Sequence, residues 1–337
     1  MDEHRLAESL EPIRNMFLSQ VMLFLFESGL YDVLKENCEK DTTGIANKLD
    51  FSPYRLEGLM VYLKHEGIIE LTEQGAPVLT VKGLEFGPSK PWYQLLVGGY
   101  GQTLKDLDAL MSDRDRYGTR DGAYVGKGSC GISQFDALPM AKELIEEVHP
   151  SPEMVVDIGC GDGSYLVDLC KQIPHVKAIG LEPDAESVKI AKLLVDENDL
   201  GNRIEVRSGD FSELSAQEDL PSATVFIIAF VLQEVLEQSG RSTVINVLRQ
   251  IRSLQPNSNI VVVEVDRDEE NSEKMTSKLG LGYYNPYFLI HRLTEQRLER
   301  PDFWREVFEE AGWRIKMKTY PRPDYDPLAL KIGFLLV

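Results

Sequence analysis

The chain has 337 residues, more than one ordinary domain, and 43% of them are hydrophobic, enough for a real core. Its formal net charge of −19 argues against a polyanionic partner such as nucleic acid, because phosphate backbones are gripped by an excess of Lys and Arg. Its four cysteines, Cys38, Cys130, Cys160 and Cys170, form no C-x-x-C pair, so neither a disulfide framework nor a zinc knuckle is indicated.

Scattered cysteines fit a reduced, cytoplasmic setting. The start Met1-Asp2-Glu3-His4 is acidic and lacks the basic and apolar regions of a signal peptide. The apolar run Val21 to Phe26 is too short to span a membrane. From Pro12 to Leu34 the apolar residues Ile13, Met16, Phe17, Val21, Leu23, Phe24, Leu25 and Leu30 recur at mostly helical spacing, broken by Gly29. That is more apolar surface than one stripe needs. A core helix would account for part of it, and burial against a second subunit for the rest, so a homodimer through this region is expected.

Thr42 to Leu49 reads as a capped short helix and Pro53 to Glu66 as a longer one stopped by Gly67. A strand follows, and Gly75, Val78, Leu79 and Val81 suggest a returning one. This resembles a winged helix, yet its second helix carries only Arg55 and Lys64 as basic residues, so a structural use is expected rather than DNA reading. Residues 91 to 140 are rich in glycine (Gly98, Gly99, Gly101, Gly122, Gly126, Gly128, Gly131), which fits either a hinge or a segment closing over a substrate. Tyr100, Ser129 and Ser133 are candidate contacts there.

From Asp136 onward helical patterns alternate with apolar runs at Met154–Ile158, Ala178–Leu181, Ile204–Ser208, Val225–Phe230, Ile260–Val265, Ile315–Thr319 and Lys331–Val337. Such alternation predicts an α/β, doubly wound, Rossmann-like sheet with its binding site at the carboxyl ends of the strands. The first run leads into Asp157-Ile158-Gly159-Cys160-Gly161-Asp162-Gly163. A dinucleotide site expects G-x-G-x-x-G, whereas G-x-G-x-G behind an acid is the pattern of class I S-adenosylmethionine (SAM) methyltransferases. Asp157 would serve the ligand ammonium. Glu182, followed by Pro183 at the end of the second run, would accept the ribose hydroxyls. Asp210 would accept from the adenine N6 and Phe211 would pack on its ring, with Phe230 a further contact.

After Phe230 the chain reads Val231-Leu232-Gln233-Glu234. In the small-molecule O-methyltransferases that the two-domain layout resembles, this stretch usually reads Leu-His-Asp-Trp, with the histidine as base for a hydroxyl. Gln233 takes no proton at neutral pH, which puts O-methyl transfer by that route in doubt. Gly98 to Leu104, Lys127 to Ser133 and the Gln233-Glu234 pair resemble instead the α-keto acid C3-methyltransferases, a group that includes 2-ketoarginine methyltransferase and, more distantly, phenylpyruvate C3-methyltransferase. That resemblance implies a metal ion beside the sulfonium, with Gln233, Glu234 and His291 at the ligand positions. Their mixed O/O/N donors suit zinc, iron, manganese or nickel, and leave open positions for a keto acid to chelate. The metal would draw charge onto the ketone oxygen and acidify C3–H, and the enolate would attack the methyl. Tyr100, Asp136 and a metal-bound hydroxide stay open as the base.

The expected organisation is a winged-helix dimerisation domain over 1–90, glycine-rich linker helices covering the substrate over 91–140, and a SAM-binding catalytic domain over 141–337. The expected activity is C3-methylation of an α-keto acid, with 2-ketoarginine first among substrates. O- or N-methylation of a small metabolite is the alternative, and a SAM-responsive regulator the remote one.

Overall fold

The computed structural model describes residues 2–36, 40–209, 220–221, 224–324, 326 and 329–337. They divide once, into compact units Met1–Gly99 and Tyr100–Val337. The sequence had suggested breaks after residues 90 and 140.

In the first unit, the Asp2 side chain caps a long helix, Glu3–Glu27, by accepting the Arg5 N–H at 2.9 Å. Gly29, at φ 75°, turns the chain into the short helix Leu30–Lys35. Only the C-terminal part of the long helix is buried: Met22, Leu25 and Phe26 join Leu30, Leu34, Ile45, Leu56 and Leu63 in one core. Leu6, Leu10, Ile13, Met16 and Phe17 stay exposed. Helices Thr42–Leu49 and Pro53–His65 are followed by an antiparallel hairpin of β1 (Ile69–Leu71) and β2 (Pro77–Leu79). Val81 does not extend the returning strand as expected. The Thr80 hydroxyl accepts the Gly83 N–H at 3.1 Å and starts a helix, Val81–Glu85, instead.

The second unit is built on a seven-stranded sheet: β3 (Met154–Ile158), β4 (Lys177–Glu182), β5 (Ile204–Ser208), β6 (Thr224–Ala229), β7 (Asn259–Val265), β8 (Ile315–Thr319) and β9 (Lys331–Leu336). The spatial order is β5-β4-β3-β6-β7-β9-β8, with β3 to β7 parallel and β9 antiparallel to both neighbours. Side chains alternate between faces, and both faces are covered. Val155, Val225 and Ile227 pack with Leu144 and Leu166, while Val156, Phe226 and Ile228 pack with Leu248 and Trp304. Burial on both sides is why these strands read as unbroken apolar runs. The order reverses at β3, between β4 and β6, which makes the carboxyl ends of those strands the place for a ligand.

The glycine-rich segment is largely helical, in pieces that include Gly101–Lys105, Leu107–Ser112 and Gly122–Ser133. The last begins where Asp121 accepts the Tyr124 N–H at 3.2 Å. Among the described residues no helix is long and apolar enough to cross a membrane.

Candidate active site

The methyl-donor side grows out of β3. Gly159, Gly161 and Gly163 take φ of 81°, 56° and 76°, the left-handed region where a side chain is strained. Space demands glycine at two of them as well. A Cβ on Gly159 would meet Val231 Cγ2 at 2.6 Å, and one on Gly163 would meet Ala191 Cβ at 2.9 Å. Glu182, at the end of β4, reaches back to the turn. Its Oε2 accepts the Gly161 N–H at 2.9 Å and its Oε1 the Asp184 N–H at 2.9 Å. Each oxygen keeps a lone pair for a ribose hydroxyl. Asp157 is only 3% exposed, and burial, reinforced by the charge on Glu182, pushes its carboxyl up to about 7. Such a group gains most from a bound cation, the role expected for it.

Pro183 follows Glu182 on the exposed rim. Phe230, the residue after β6, takes a left-handed conformation, φ 60°, with Lys331 Nζ 6.0 Å from its ring centre. Asp210 and Phe211, expected on the adenine, lie outside the described residues.

The acceptor side begins where β6 passes into the helix Leu232–Leu254. Glu264 of β7, 1% exposed, accepts the Leu232 N–H at 3.0 Å and also bonds the backbone of Gln233. It thus satisfies donors at the start of the helix, and burial pushes its carboxyl up to about 8. Gln233 is 1% exposed, and its Oε1 has no hydrogen-bond partner. Glu234 Oε1 accepts from Arg120 Nη1 at 2.6 Å and from Gln296 Nε2 at 2.9 Å. Gln296 is oriented in turn by the Tyr100 hydroxyl, which donates to its Oε1 at 3.0 Å, and by the Thr294 hydroxyl at 3.3 Å. His291 Nδ1 lies 2.7 Å from the Tyr287 carbonyl oxygen, so Nδ1 carries the proton and Nε2 a lone pair. Burial, with Arg120 adding to it, lowers His291 to about 4 and keeps it neutral.

Arg120 reaches this cluster because its own segment is tied down on both sides. Gly118 comes so close to Thr103 that a Cβ would fall 2.5 Å from its Cγ2, and the Gly118 N–H donates to the Leu293 carbonyl at 2.7 Å. Thr103 Oγ1 donates to the Thr119 carbonyl at 2.6 Å. Burial works against the Arg120 charge, but Glu234 and Tyr100, both bonded to it, more than offset this and raise its pKa.

This arrangement bears on the metal set that the resemblance implied. Gln233 Oε1 and His291 Nε2 are open donors, but Glu234, the set's single formal charge, is already neutralised by a guanidinium. Glu234 keeps Oε2, on which no hydrogen bond falls among the described residues, so the three residues still offer one open donor atom each to an ion, with Arg120 set beside the carboxylate; no step is drawn through one.

The other candidates are engaged as well. Burial pushes the Tyr100 phenol up, and its hydroxyl is spent on Gln296, which suits a positioning residue better than a base. Asp136 forms a buried ion pair with Lys331, which also bonds the Tyr283 hydroxyl at 3.3 Å. Ser133 Oγ donates to the Ser129 carbonyl in its own helix at 2.8 Å. Sequence reading missed Arg120, Gln296, Glu264 and Lys331. The last two had a signal, a lone charge in an apolar strand; the first two had none.

Beside His291 and Gln296 opens a cavity of about 370 Å³ that Tyr117, Glu237 and Glu269 also line. Its arginines are committed: Arg292 to Glu269, Arg297 to Glu299, and Arg267 to both acids. Glu237 accepts from the Tyr117 hydroxyl and pairs with no basic side chain among the described residues.

Residues 155–257 match the family model described as "Methyltransferase domain". The chain is 41% identical to "2-ketoarginine methyltransferase" of Streptomyces arginensis, over 99% of its own length and 96% of that protein's. It is 26% identical to "Indolepyruvate C-methyltransferase" of Streptomyces griseus, over 85% and 82%. Its fold superposes on human N-acetylserotonin methyltransferase in complex with SAM, with a TM-score of 0.66, 16% identity and coverage of 100% and 98%.

Proposed function

The chain belongs to the SAM-dependent methyltransferase family of 2-ketoarginine methyltransferase, and from that premise we propose that it methylates C3 of an α-keto acid, 2-ketoarginine (5-guanidino-2-oxopentanoate) first among them. The observation that carries this reading is the 41% identity to that relative along 99% of the chain. Two features of the site support it. Gln233 stands where an O-methyltransferase of this layout keeps its base, so a hydroxyl acceptor would go unactivated. Glu237, without a basic partner in its cavity, suits the guanidinium end of the substrate.

SAM, held by the glycine turn, Asp157 and Glu182, supplies a methyl group on a positively charged sulfur. The protein then has to bind the keto acid, loosen a C3 proton and keep water from the carbanion. In the finer form implied by the resemblance, Gln233, Glu234 and His291 would hold a divalent or trivalent metal ion, which would supply positive charge for the ketone oxygen; the open Gln233 Oε1 and His291 Nε2 support that form. The segment over 91–140 covers the acceptor in this reading, and the first unit serves assembly. The exposed stripe Leu6, Leu10, Ile13, Met16 and Phe17 supports a second copy packed there, giving a homodimer in the cytoplasm.

The test is direct. Incubation with SAM and a panel of keto acids should add one methyl carbon, placed on C3 by NMR, fastest with the guanidino substrate. Methylation of a hydroxyl or amine, with keto acids untouched, would favour the O- or N-methyltransferase alternative. The regulator alternative falls with membership of an enzyme family.

A further inference from the structure

We propose that Lys331, backed by Asp136, is a carboxylate site that holds the α-carboxylate of a bound ligand, either the methyl donor's own or the keto acid's. The donor arm needs only SAM, whereas the acceptor arm rests on the keto acid reading above.

The pair is not explained by packing. Lys331 and Asp136 keep only 4% and 5% of their side-chain surface exposed. Two charges taken out of water lose much of their hydration, and apolar side chains of similar size often hold a core as well or better. The bonding points to a task. Lys331 is the first residue of β9, in register with Val265 at the carboxyl end of β7, where a sheet of this kind binds its ligands. Its ammonium has three N–H groups. One goes to Asp136 and one to the Tyr283 hydroxyl, at 3.3 Å, and among the described residues nothing takes the third. Asp136 is fixed in turn by the Ala137 N–H, at the start of the helix Ala137–Glu146. It balances the ammonium without using up its donors, so a second carboxylate can accept the remaining one as a charged hydrogen bond.

The pair also stands between the two halves of the candidate site. Towards the methyl donor, Lys331 Nζ is 6.0 Å from the ring centre of Phe230, the residue after β6. The Tyr165 hydroxyl, in the first turn of the helix that follows Gly163, is buried without a hydrogen-bond partner. Burial raises its pKa, and the charges of Asp157 and Asp136 both add to that, which places the hydroxyl near both acids. A buried hydroxyl left unbonded is a ready second donor for the same carboxylate. Towards the acceptor, the Tyr283 ring lies 5.5 Å from Tyr287, and the Tyr287 ring 4.1 Å from His291. Asp157 answers the ammonium of SAM, and the carboxylate on the same carbon still needs a cation. An α-keto acid brings the same need to the other side.

The test uses the full-length protein, with SAM and decarboxylated SAM as calorimetric probes and 2-ketoarginine as the rate probe. Lys331→Met alone would strand the Asp136 charge in the core, so it is combined with Asp136→Asn, and a cooperative melt shows that the double variant is folded. If the donor's carboxylate sits here, the SAM Kd should rise about 30-fold, the loss of a charged hydrogen bond, while decarboxylated SAM binds as it does to the wild type. If the keto acid's carboxylate sits here, its KM should rise about 30-fold and both SAM values should stay within about twofold. Lys331→Arg, which keeps the charge beside an intact Asp136, should retain most of the affinity in either case, and it serves where the double variant does not fold: a 30-fold loss in Lys331→Arg would count against the site. A folded double variant whose SAM Kd and keto acid KM both stay within about twofold overturns the proposal. So does one that loses SAM and decarboxylated SAM alike, because the carboxylate would then not be what is read. A wild type that methylates no keto acid sinks the keto acid reading instead, and the carboxylate site then stands or falls on the SAM Kd.

Discussion

The two halves of the candidate site, the glycine turn proposed for the methyl donor and the Glu234 cluster proposed for the acceptor, are built by different means. The donor side is a short piece of chain: Asp157, the three glycines and Glu182 come from two adjacent parallel strands and the turn between strand and helix. The acceptor side gathers Tyr100, Arg120, Glu234, His291 and Gln296 from four separate segments, held by side-chain hydrogen bonds. Backbone geometry fixes the first and charge pairing fixes the second. A change on one side should therefore leave the other side's function standing.

The sharpest separation should come from Gln296→Ala. It removes a hydrogen bond to a charged group and frees Glu234 to turn, so methyl transfer should fall about 100-fold in kcat while the SAM Kd moves less than about twofold. A parallel loss of SAM affinity would show the two sides to be one unit. The converse variant is Asp157→Asn, expected to weaken SAM binding about 30-fold, the value of a charged hydrogen bond, while leaving deuterium exchange at C3 intact.

A smaller effect should follow pH. The Asp157 carboxyl is pushed up to about 7 in the folded protein. In the unliganded protein its contribution to stability is therefore present below the usual aspartate range and lost as pH rises through 7. Binding has the opposite sign. The ligand ammonium favours the carboxylate, so SAM should bind about eightfold more weakly at pH 6 than at pH 7.5, as the ionised fraction falls. Asp157→Asn should abolish that dependence, and an unchanged slope in the variant would assign the titration to another group.

The strands were legible because each alternates faces in a sheet buried on both sides, which forces an apolar run of the right length; all seven expected runs agree with the structure to within a residue. The glycine-rich segment was less legible, because glycines such as Gly126 and Gly128 sit inside a helix, where they mark no turn. Gly118 is required, but by a Thr103 side chain that sequence spacing cannot place beside it.

By itself, then, the sequence determined the donor side. Left-handed glycines and an acid at a strand end are local demands, met by neighbours in the chain. Only the tertiary structure decided what surrounds Glu234. Sequence pattern offered it as a metal ligand beside Gln233 and His291, and folding delivered Arg120 to its carboxylate. An ion pair depends on which charges arrive within a few ångströms, and chain order holds no record of that distance.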